Sequence, residues 1–322
     1  MGRWLSDDPA ILSGINKVEQ LFRMPGHPAK ELFRRVIDYL PAQRRIRLFE
    51  ALFNGAWFEG GEKETDEWRG KGVYRQIMKA FEYLNDARVI IGTSATVTRQ
   101  NVQVVSSFPF IDQMISLGSM AQMYFMYIPV NGMADFSLML TPNQRDRLRR
   151  QVMAIRNNRP IFALDFWNDG PYVGGCIAGG RRYFHVNAKG DVEPCVFTHI
   201  ATDNVMEKPL AEALNSPLFR NIRARQPHNP NHLRPCMIID NPHVMRQVIE
   251  EIKPRFTHPG AEEIYTAKKE QMDAYAAKWG ELAEQLWRED HGKQQSHEDM
   301  LITGQGSMED EKGDTLSAAS AW

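Results

Sequence analysis

Three cysteines are the residues in this chain whose chemistry is easiest to interpret. Cys176, Cys195 and Cys236 all lie in one stretch of a 322-residue sequence. An odd number this small does not suggest a disulfide framework. Thiolates are soft metal ligands, so three of them in one region suggest a shared metal centre. The alternative is three buried, inert thiols, because free cysteine also packs as a small hydrophobic residue.

A predicted β-hairpin brings two of these cysteines together. The stretch 183–187 alternates in polarity like a strand, the stretch 188–191 has the composition of a turn, and Val192-Glu193 begin a return strand. Cys176 and Cys195 would then lie at the same end of the hairpin. Cys236 follows a helix predicted to start at Ser216-Pro217 and a proline-rich loop. Three ligands from separate loops can converge on one metal centre.

The sequence leaves the identity of the metal open. Zinc sites usually have four ligands, with paired cysteines or closely spaced histidines, and the chain contains no CxxC pair. A Cys3His zinc site remains an alternative, because five histidines lie nearby: His185, His199, His228, His232 and His243. An iron–sulfur cluster accepts widely spaced cysteines and hydrogen bonds from backbone N–H groups.

The residues around Cys176 suit an anionic cluster. Four glycines flank this cysteine and allow close approach of the backbone: Gly174, Gly175, Gly179 and Gly180. Arg181 and Arg182 follow, and their positive charge would offset that of a thiolate-bound cluster. An ordinary tight loop with a solvated basic face is the alternative interpretation.

The elements upstream of the cysteines predict an α/β fold. Three apolar, β-branched stretches read as strands, and helical segments separate them: 89–97, 123–130 and 161–166. Strands that alternate with helices form parallel βαβ units, and near-continuous apolar strands fit a sheet covered on both faces. We therefore expect a partial parallel (β/α) barrel or sheet with N-terminal helices and a small C-terminal hairpin domain that contains the cysteines.

The predicted organisation has five parts. They are an N-terminal helical segment (1–58), the partial barrel (59–170), the cysteine-containing domain (171–260), a C-terminal helix (261–289) and a polar tail expected to be disordered (290–322). Within the first part, the apolar residues of the stretch 31–40 recur at helical spacing.

Composition excludes several classes of protein. The net charge is −1, so no global basic field for nucleic acid exists, and no apolar run is long enough for a membrane span. The hydrophobic content of 43% and the charged content of 25% are those of a globular protein. We expect a cytoplasmic protein, since the N-terminus turns acidic before any apolar run could act as a signal peptide.

About two thirds of the chain resembles radical S-adenosylmethionine (SAM) proteins that carry a C-terminal auxiliary-cluster domain of the SPASM or Twitch type. The similar stretches include SATVTRQN, YFMYIPV, IFALDFWNDGPYVGGCIAGG, VNAKGDVEPCVFTH and RPCMIIDNP. In such domains one cysteine precedes a hairpin, a glycine lies five residues before the second cysteine, and a third follows later. Cys176, Gly190, Cys195 and Cys236 have this order. The resemblance implies an auxiliary [4Fe-4S] cluster on the three cysteines.

The chain departs from this family at the catalytic cluster. The family binds that cluster through CxxxCxxC, and no cysteine precedes Cys176 here. Without those three thiolates, we expect no reductive cleavage of SAM by this chain alone, and S-adenosylmethionine is a doubtful cofactor. Gly60-Gly61-Glu62 spells the family's methionine-binding motif, but no strand is predicted before it, so we interpret the match as coincidental. The first barrel strands would be missing between Phe58 and Glu59.

Polar residues near two strand ends are further candidates. By the resemblance, Ser94, Thr96 and Asn101 would line the cofactor site. The alternative is that they are ordinary, satisfied polar groups of a strand. Asp165, Asn168 and Asp169 lie at the end of the third predicted strand, where parallel α/β barrels place catalytic groups.

These observations predict a radical-SAM-related iron–sulfur protein with an electron-transfer or substrate-binding role, and they leave open whether it is an enzyme. The partner would be a complete radical SAM protein or a second copy of the chain, and the substrate a small molecule or a peptide. A zinc-stabilised interaction protein and a metal-free degenerate relative are the alternatives.

Overall fold

Four parallel strands form the centre of the molecule. The computed structural model describes residues 56–86, 90–130 and 134–303. The strands of the main sheet are β1 (Ala56–Phe58), β2 (Ile91–Val97), β3 (Ser119–Met126) and β4 (Phe162–Asp165). They pair in chain order, each parallel to its neighbour. This confirms the α/β fold class with a partial parallel sheet.

Short antiparallel strands form the cysteine-containing region. They are β5 (His185–Val186), β6 (Asp191–Glu193), β7 (Ile200–Ala201), β8 (Asp203–Asn204) and β9 (Arg255–Phe256). The first sheet has the order β5-β6-β8, and β7 pairs with β9. The predicted hairpin is present, because His185 pairs with Glu193 and Val186 with Val192.

Helices connect the parallel strands and follow the hairpin. The helices before β4 are α1 (Glu62–Arg69), α2 (Val73–Asp86), α3 (Val102–Val105), α4 (Phe108–Ser116) and α5 (Pro142–Asn158). Those after it are α6 (Gly170–Val173), α7 (Leu210–Ala213), α8 (Pro217–Ala224), α9 (Pro242–Ile252) and α10 (Lys269–Thr303). Single 3-10 turns occur at Phe136–Leu138 and Ala261–Ile264.

The two faces of the parallel sheet are buried to different degrees. Phe58, Ala95, Tyr124 and Asp165 lie in one register row, and none is more than 1% exposed. The Phe58 ring packs against aromatic rings of α2 and α4, so this face contacts the helical layer. The adjacent row points to the other face, and three of its four members are only half-buried: Trp57, Met123 and Leu164. Helices therefore bury one face of the sheet more completely than the other.

Helix α5 begins where the sequence predicts. The Thr141 hydroxyl accepts a hydrogen bond from the Gln144 amide at 3.3 Å, and the Gln144 side chain accepts one from the Thr141 amide at 3.0 Å. Pro142 occupies the first helical position, where its missing N–H leaves no partner unsatisfied. Such a cap stabilises a helix by about 1 kcal/mol.

The beginning of the chain differs from the sequence prediction at residues 56–58. These residues were expected to be helical, but they form β1 and pair with β2 through Ala56, Trp57 and Phe58. A strand of three residues is too short to show a polarity period, and its pairing with β2 determines its conformation. The absence of the first barrel strands between Phe58 and Glu59 stays a prediction. The helical prediction for residues 1–55 lies outside the described residues.

The C-terminal helix is also longer and starts later than predicted. A 3-10 turn occupies Ala261–Ile264, and α10 begins at Lys269 and continues to Thr303, past the predicted end at 289. The stretch 293–302 contains many good helix formers and no proline, so its polarity alone does not stop a helix. Among the described residues, 284–303 form a unit separate from those up to Ala283, and the predicted tail beyond Thr303 lies outside the described residues. None of the helices in the described part of the chain combines the length and apolar character needed to cross a membrane.

Gly170 holds the start of α6 against the loop that precedes Cys236. A Cβ atom at this position would lie 2.2 Å from the backbone oxygen of His232. No side-chain rotation relieves a clash with backbone, so the two segments would have to separate. This contact therefore requires glycine at position 170.

We predict that Gly170→Ala lowers the free energy of unfolding by roughly 1–3 kcal/mol, the usual cost of overpacking a well-packed site. Urea unfolding followed by circular dichroism measures the change. Gly61→Ala is the matched control, because its Cβ would meet only the flexible carboxylate of Glu64 at 3.2 Å. Equal stability losses in the two variants would contradict the predicted clash at Gly170.

Candidate metal centre

Cys176 lies in a glycine-rich loop that packs on α8. Gly179 has a φ of +69°, and a Cβ there would be 2.4 Å from the Ile222 side chain. Gly180 approaches Phe219 on the same helix, because a Cβ at position 180 would lie 2.9 Å from the Phe219 ring. These glycines therefore allow close packing of the loop, as predicted, although their observed neighbours are side chains of α8.

Cys195 follows β6 and lies in a tight turn. Its carbonyl oxygen accepts hydrogen bonds from the Thr198 amide at 3.0 Å and the Thr198 hydroxyl at 2.8 Å. Gly190 lies in the hairpin turn with a φ of +85°, and a Cβ there would meet Asn204 at 2.7 Å. The structure thus explains why glycine occupies position 190, five residues before Cys195: only glycine fits this turn against β8 without strain.

Cys236 lies in a turn that leads into α9. Its amide donates to the carboxylate of Asp240 at 3.0 Å. Its carbonyl oxygen accepts from the Asp240 amide at 3.2 Å and the Asn241 amide at 3.0 Å. The backbone of this cysteine is therefore held on both sides by residues four and five positions further along the chain.

Each cysteine sulfur interacts with the backbone N–H group two residues downstream. The Ile238 amide donates to the Cys236 sulfur at 3.4 Å. Backbone hydrogen bonds from Ala178 and Phe197 counteract the increase in pKa at Cys176 and Cys195, respectively. N–H groups directed at sulfur stabilise the thiolate form, which is the form that binds metals.

Burial makes the three thiols hard to ionise. It raises the pKa of Cys176 to about 11 and that of Cys236 to about 12, and it raises the pKa of Cys195 well above its usual value. Arg181 partly counteracts this at Cys176, as the sequence suggested for its positive charge. The unloaded centre is therefore a set of protonated thiols, and metal binding would release protons.

The three thiols lie within electrostatic reach of one another. Charge on Cys176 or Cys236 would raise the pKa of Cys195, and charge on Cys176 would raise that of Cys236. All three are free thiols. The three cysteines selected from the sequence thus influence one another's ionisation. Among the described residues no three His, Cys, Asp or Glu side chains are grouped as a site for one metal ion, so a shared centre on these cysteines stays a prediction. Buried thiols with N–H groups directed at sulfur have the donor chemistry that an iron–sulfur cluster requires.

The histidines considered for a zinc site do not complete a compact group with the cysteines. Among residues 56–86, 90–130 and 134–303, no three His, Cys, Asp or Glu side chains converge closely enough to hold a single metal ion. His228 is buried, and neither of its ring nitrogens has a hydrogen-bond partner among the residues that the structure describes. Burial lowers its pKa to about 4, which keeps the imidazole neutral at physiological pH.

A row of aromatic rings connects the half-buried face of the sheet to the Cys195 turn. Trp57 on β1 packs against Phe125 on β3, with ring centroids 5.1 Å apart, and Phe125 packs against Phe166 at 5.2 Å. Trp167 continues the row, at 5.1 Å from both Phe166 and Phe197. Phe197 is the residue whose N–H interacts with Cys195. The sheet and the cysteine centre are therefore joined by continuous packing.

The predicted cofactor-binding residues lie on β2 and just after it. Ser94 is buried and Thr96 is half-buried on β2. The Asn101 amide donates to the carbonyl oxygens of Glu59 at 3.0 Å and Thr96 at 2.9 Å, which uses both of its hydrogens. Asn101 thus ties the end of β2 to the end of β1. A cofactor role for Ser94, Thr96 and Asn101 stays a prediction.

The Gly60-Gly61-Glu62 sequence has a different setting from the one expected. It was interpreted as coincidental because no strand was predicted before it, yet β1 directly precedes it and is parallel to β2. The Gly61 amide donates to the Glu64 carboxylate at 2.9 Å and begins α1, and Glu62 pairs with Arg75 at 2.9 Å on the surface. The turn therefore follows a strand and begins a helix, which removes one reason for the coincidental interpretation. A methionine-binding role for this sequence is untested.

The comparison with family models gives one match. A family described as SPASM, an iron–sulfur cluster-binding domain, matches residues 176–237. The matched span covers about a fifth of the chain and begins at Cys176, and it contains Cys195 and Cys236. This match supports an iron–sulfur cofactor. The comparison with curated proteins found no match.

Sequence reasoning selected Asp165 and Asn168 but not the residues to which they connect. The Asn168 amide donates to the Asp165 carboxylate at 2.7 Å, and its oxygen accepts from Arg145 on α5 at 2.9 Å. Arg145 in turn pairs with Asp240, which holds the Cys236 turn. Arg145 lies in the basic run RDRLRR, which reads as a solvated helix face. The CMIID sequence gives no sign that Asp240 contacts that helix.

The buried Asp165 gives a testable pH dependence. Burial, reinforced by the charge of Asp169, raises its pKa from 3.8 to about 6. Between these values the folded protein binds a proton that the unfolded chain has released, so the free energy of unfolding falls as pH rises. Asp165→Asn removes this titration. We predict that the stability of Asp165→Asn relative to wild type increases from pH 4 to pH 6.5.

Urea unfolding across this range measures the difference between the two proteins. Asp135→Asn is the control, because hydrogen bonds from Ser137 lower the pKa of the exposed Asp135, the opposite direction from Asp165. The stability of Asp135→Asn relative to wild type should therefore not increase with pH. A constant difference for Asp165→Asn would contradict the raised pKa.

Proposed function

We propose that this chain is an iron–sulfur protein related to radical SAM proteins, with an auxiliary [4Fe-4S] cluster on Cys176, Cys195 and Cys236. The observation that carries the proposal is the structure around the three sulfurs. They come from three separate loops, they are free and within electrostatic reach of one another, and each interacts with the N–H group two residues downstream. The span matched by the iron–sulfur family contains all three.

Such a cluster would supply one-electron transfer, and the chain's own residues would supply its surroundings. The N–H groups of Ala178, Phe197 and Ile238 would stabilise the thiolates. Arg181 would offset part of their negative charge. The apolar core around Cys195 and Cys236 would exclude water, since both residues are at most 9% exposed. These contributions suit an electron-transfer or substrate-binding role.

The relation to radical SAM proteins has support at the sheet. β1 precedes the Gly60-Gly61-Glu62 turn and pairs in parallel with β2. The end of β2 is tied to this turn through Asn101. SAM cleavage by this chain alone is not part of the proposal, because the chain contains no CxxxCxxC motif. A complete radical SAM protein or a second copy of the chain would be its partner, and the substrate would be a small molecule or a peptide.

Reconstitution tests the cluster. Under anaerobic conditions with ferrous iron and sulfide, we expect the wild-type chain to become brown and to bind both elements. Replacing each cysteine by serine should lower the iron content roughly tenfold or more, because loss of even an outer partner of a metal ligand has effects of this order. Iron and sulfide analysis and electron paramagnetic resonance after reduction measure the outcome.

Met206→Ser is the matched control for these variants, since Met206 is 85% exposed within the same span and should leave iron uptake unchanged. A colourless wild-type protein with one bound zinc would instead favour the zinc-stabilised interaction protein. A protein that binds neither metal would contradict both and favour the metal-free relative.

A second test concerns SAM itself. The reconstituted wild-type chain, incubated with dithionite and SAM, should produce no 5′-deoxyadenosine above the protein-free control, because no cysteine precedes Cys176 to form the catalytic cluster loop. Liquid chromatography with mass spectrometry measures the product. A complete radical SAM enzyme in a parallel reaction verifies the assay. Product formed by this chain alone would contradict the proposed loss of cleavage.

A further inference from the structure

An ion pair with no exposure to solvent lies beside the cysteine centre. The side chains of Arg145 on α5 and Asp240 before α9 are both 0% exposed. The two Nη atoms of Arg145 lie 2.5 and 3.2 Å from the two carboxylate oxygens of Asp240. Its Nε donates to Asn168 at 2.9 Å, and its guanidinium carbon lies 4.2 Å from the ring centroid of Trp279. Arg145 therefore has one defined position.

Asp240 connects this pair to the third cysteine. The Oδ2 atom of Asp240 accepts two hydrogen bonds. One comes from Arg145 at 3.2 Å, and the other comes from the backbone amide of Cys236 at 3.0 Å. The Asp240 amide donates to the Cys236 carbonyl oxygen. Asp240 thus fixes the turn that sets the direction of the Cys236 sulfur.

The charges of this pair reach the cysteine centre. Asp240 raises the pKa of Cys176 and of Cys236, and a charged Cys236 interacts with Arg145. The Arg145 guanidinium balances the negative charge of Asp240. This matters next to the cysteines, because metal binding would convert their three thiols to thiolates.

Stability alone does not explain a buried pair of this kind. Removing two charges from water costs several kcal/mol per ion, and apolar replacements are often equally stable or more stable. Loss of one partner, in contrast, leaves a buried charge without compensation. The connection of Asp240 to a cysteine suggests that the pair serves the metal centre.

We infer that Arg145 and Asp240 are positioning residues of the iron–sulfur centre, an inference that rests on the proposed function. Asp240 fixes the backbone of the Cys236 turn. Arg145 holds Asp240 in place and balances its charge next to the thiolate-bound cluster.

Asp240→Asn tests this inference, with Asp169→Asn as the matched control. Asp169 forms another largely buried ion pair with α5, through Arg156 at 2.6 Å. Within the described residues its carboxylate bonds to Arg156 and to the Asp165 amide, and to no cysteine residue. Both variants remove one carboxylate charge from an arginine on the same helix, so a general loss of stability should be similar in the two.

The first measurement uses the unloaded full-length chain. The rate of alkylation by iodoacetamide is determined separately for the three cysteines by peptide mass spectrometry. In Asp240→Asn we expect the labelling rate of Cys236 to increase roughly tenfold relative to Cys176 and Cys195. A change of this size corresponds to the loss of one hydrogen bond that holds the Cys236 turn closed. In Asp169→Asn the ratio of the three rates should match that of wild type.

The second measurement uses chains loaded with ferrous iron and sulfide. Loss of the negative charge at Asp240 favours the reduced, more negative cluster, so its midpoint potential should shift upward in Asp240→Asn. In Asp169→Asn the shift should be much smaller. Redox titration followed by electron paramagnetic resonance measures both.

The outcomes separate this inference from the proposed function. A wild-type chain that binds no iron and sulfide overturns the proposed function. If the wild type binds the cluster but the two variants change its labelling ratio and midpoint potential equally, the positioning role alone is overturned.

If circular dichroism shows that Asp240→Asn does not fold, Arg145→Lys provides the test instead. Its ammonium group keeps the positive charge but cannot bridge both oxygens of Asp240. Faster labelling of Cys236 in Arg145→Lys supports the inference, and unchanged labelling overturns it.

Discussion

The Arg145–Asp240 ion pair is a fully buried polar connection between the parallel sheet and the cysteine region, in addition to the packing of the aromatic row. Arg145 belongs to α5, which packs against β4 of the parallel sheet. Asp240 lies 95 residues further along the chain, in the turn of Cys236. Asn168 extends the connection to Asp165 at the end of β4. A buried arginine tolerates little displacement, because any lost hydrogen bond leaves an unsatisfied polar group in an apolar core. Buried hydrogen bonds therefore connect the strand end to the turn of the third cysteine.

Local patterns in the sequence predicted local structure well. The Thr141 cap, the Ser216 cap and the hairpin before Cys195 are all present, because a few neighbouring residues determine each of them. The match to an iron–sulfur family over residues 176–237 was also predictable, since the order of the three cysteines and the glycine at 190 are distinctive. The bounds of β1 and α10 were not, because a three-residue strand depends on its partner and a polar helix has no apolar period.

Long-range polar contacts could not be read from the sequence. Arg145 and Asp240 each lie in a stretch with an ordinary local explanation, a basic helix face and a turn. Only their juxtaposition shows that the charges are buried. The Gly60-Gly61-Glu62 turn is a similar case, because its setting became clear only when β1 was seen to pair with β2. In both cases the informative observation is a contact between residues far apart in sequence.

The parallel sheet separates the residues that hold the fold from those that approach the centre. Phe58 and Tyr124 point to the helical layer and are fully buried, whereas Trp57 and Phe125 point to the other face and lead toward Cys195. Because side chains alternate along a strand, a shift in register by one residue would exchange the two sets. It would turn Trp57 and Phe125 toward the helices and remove the packing that reaches the Cys195 turn. The alternation that stabilises the core thus also determines which residues face the cysteine centre.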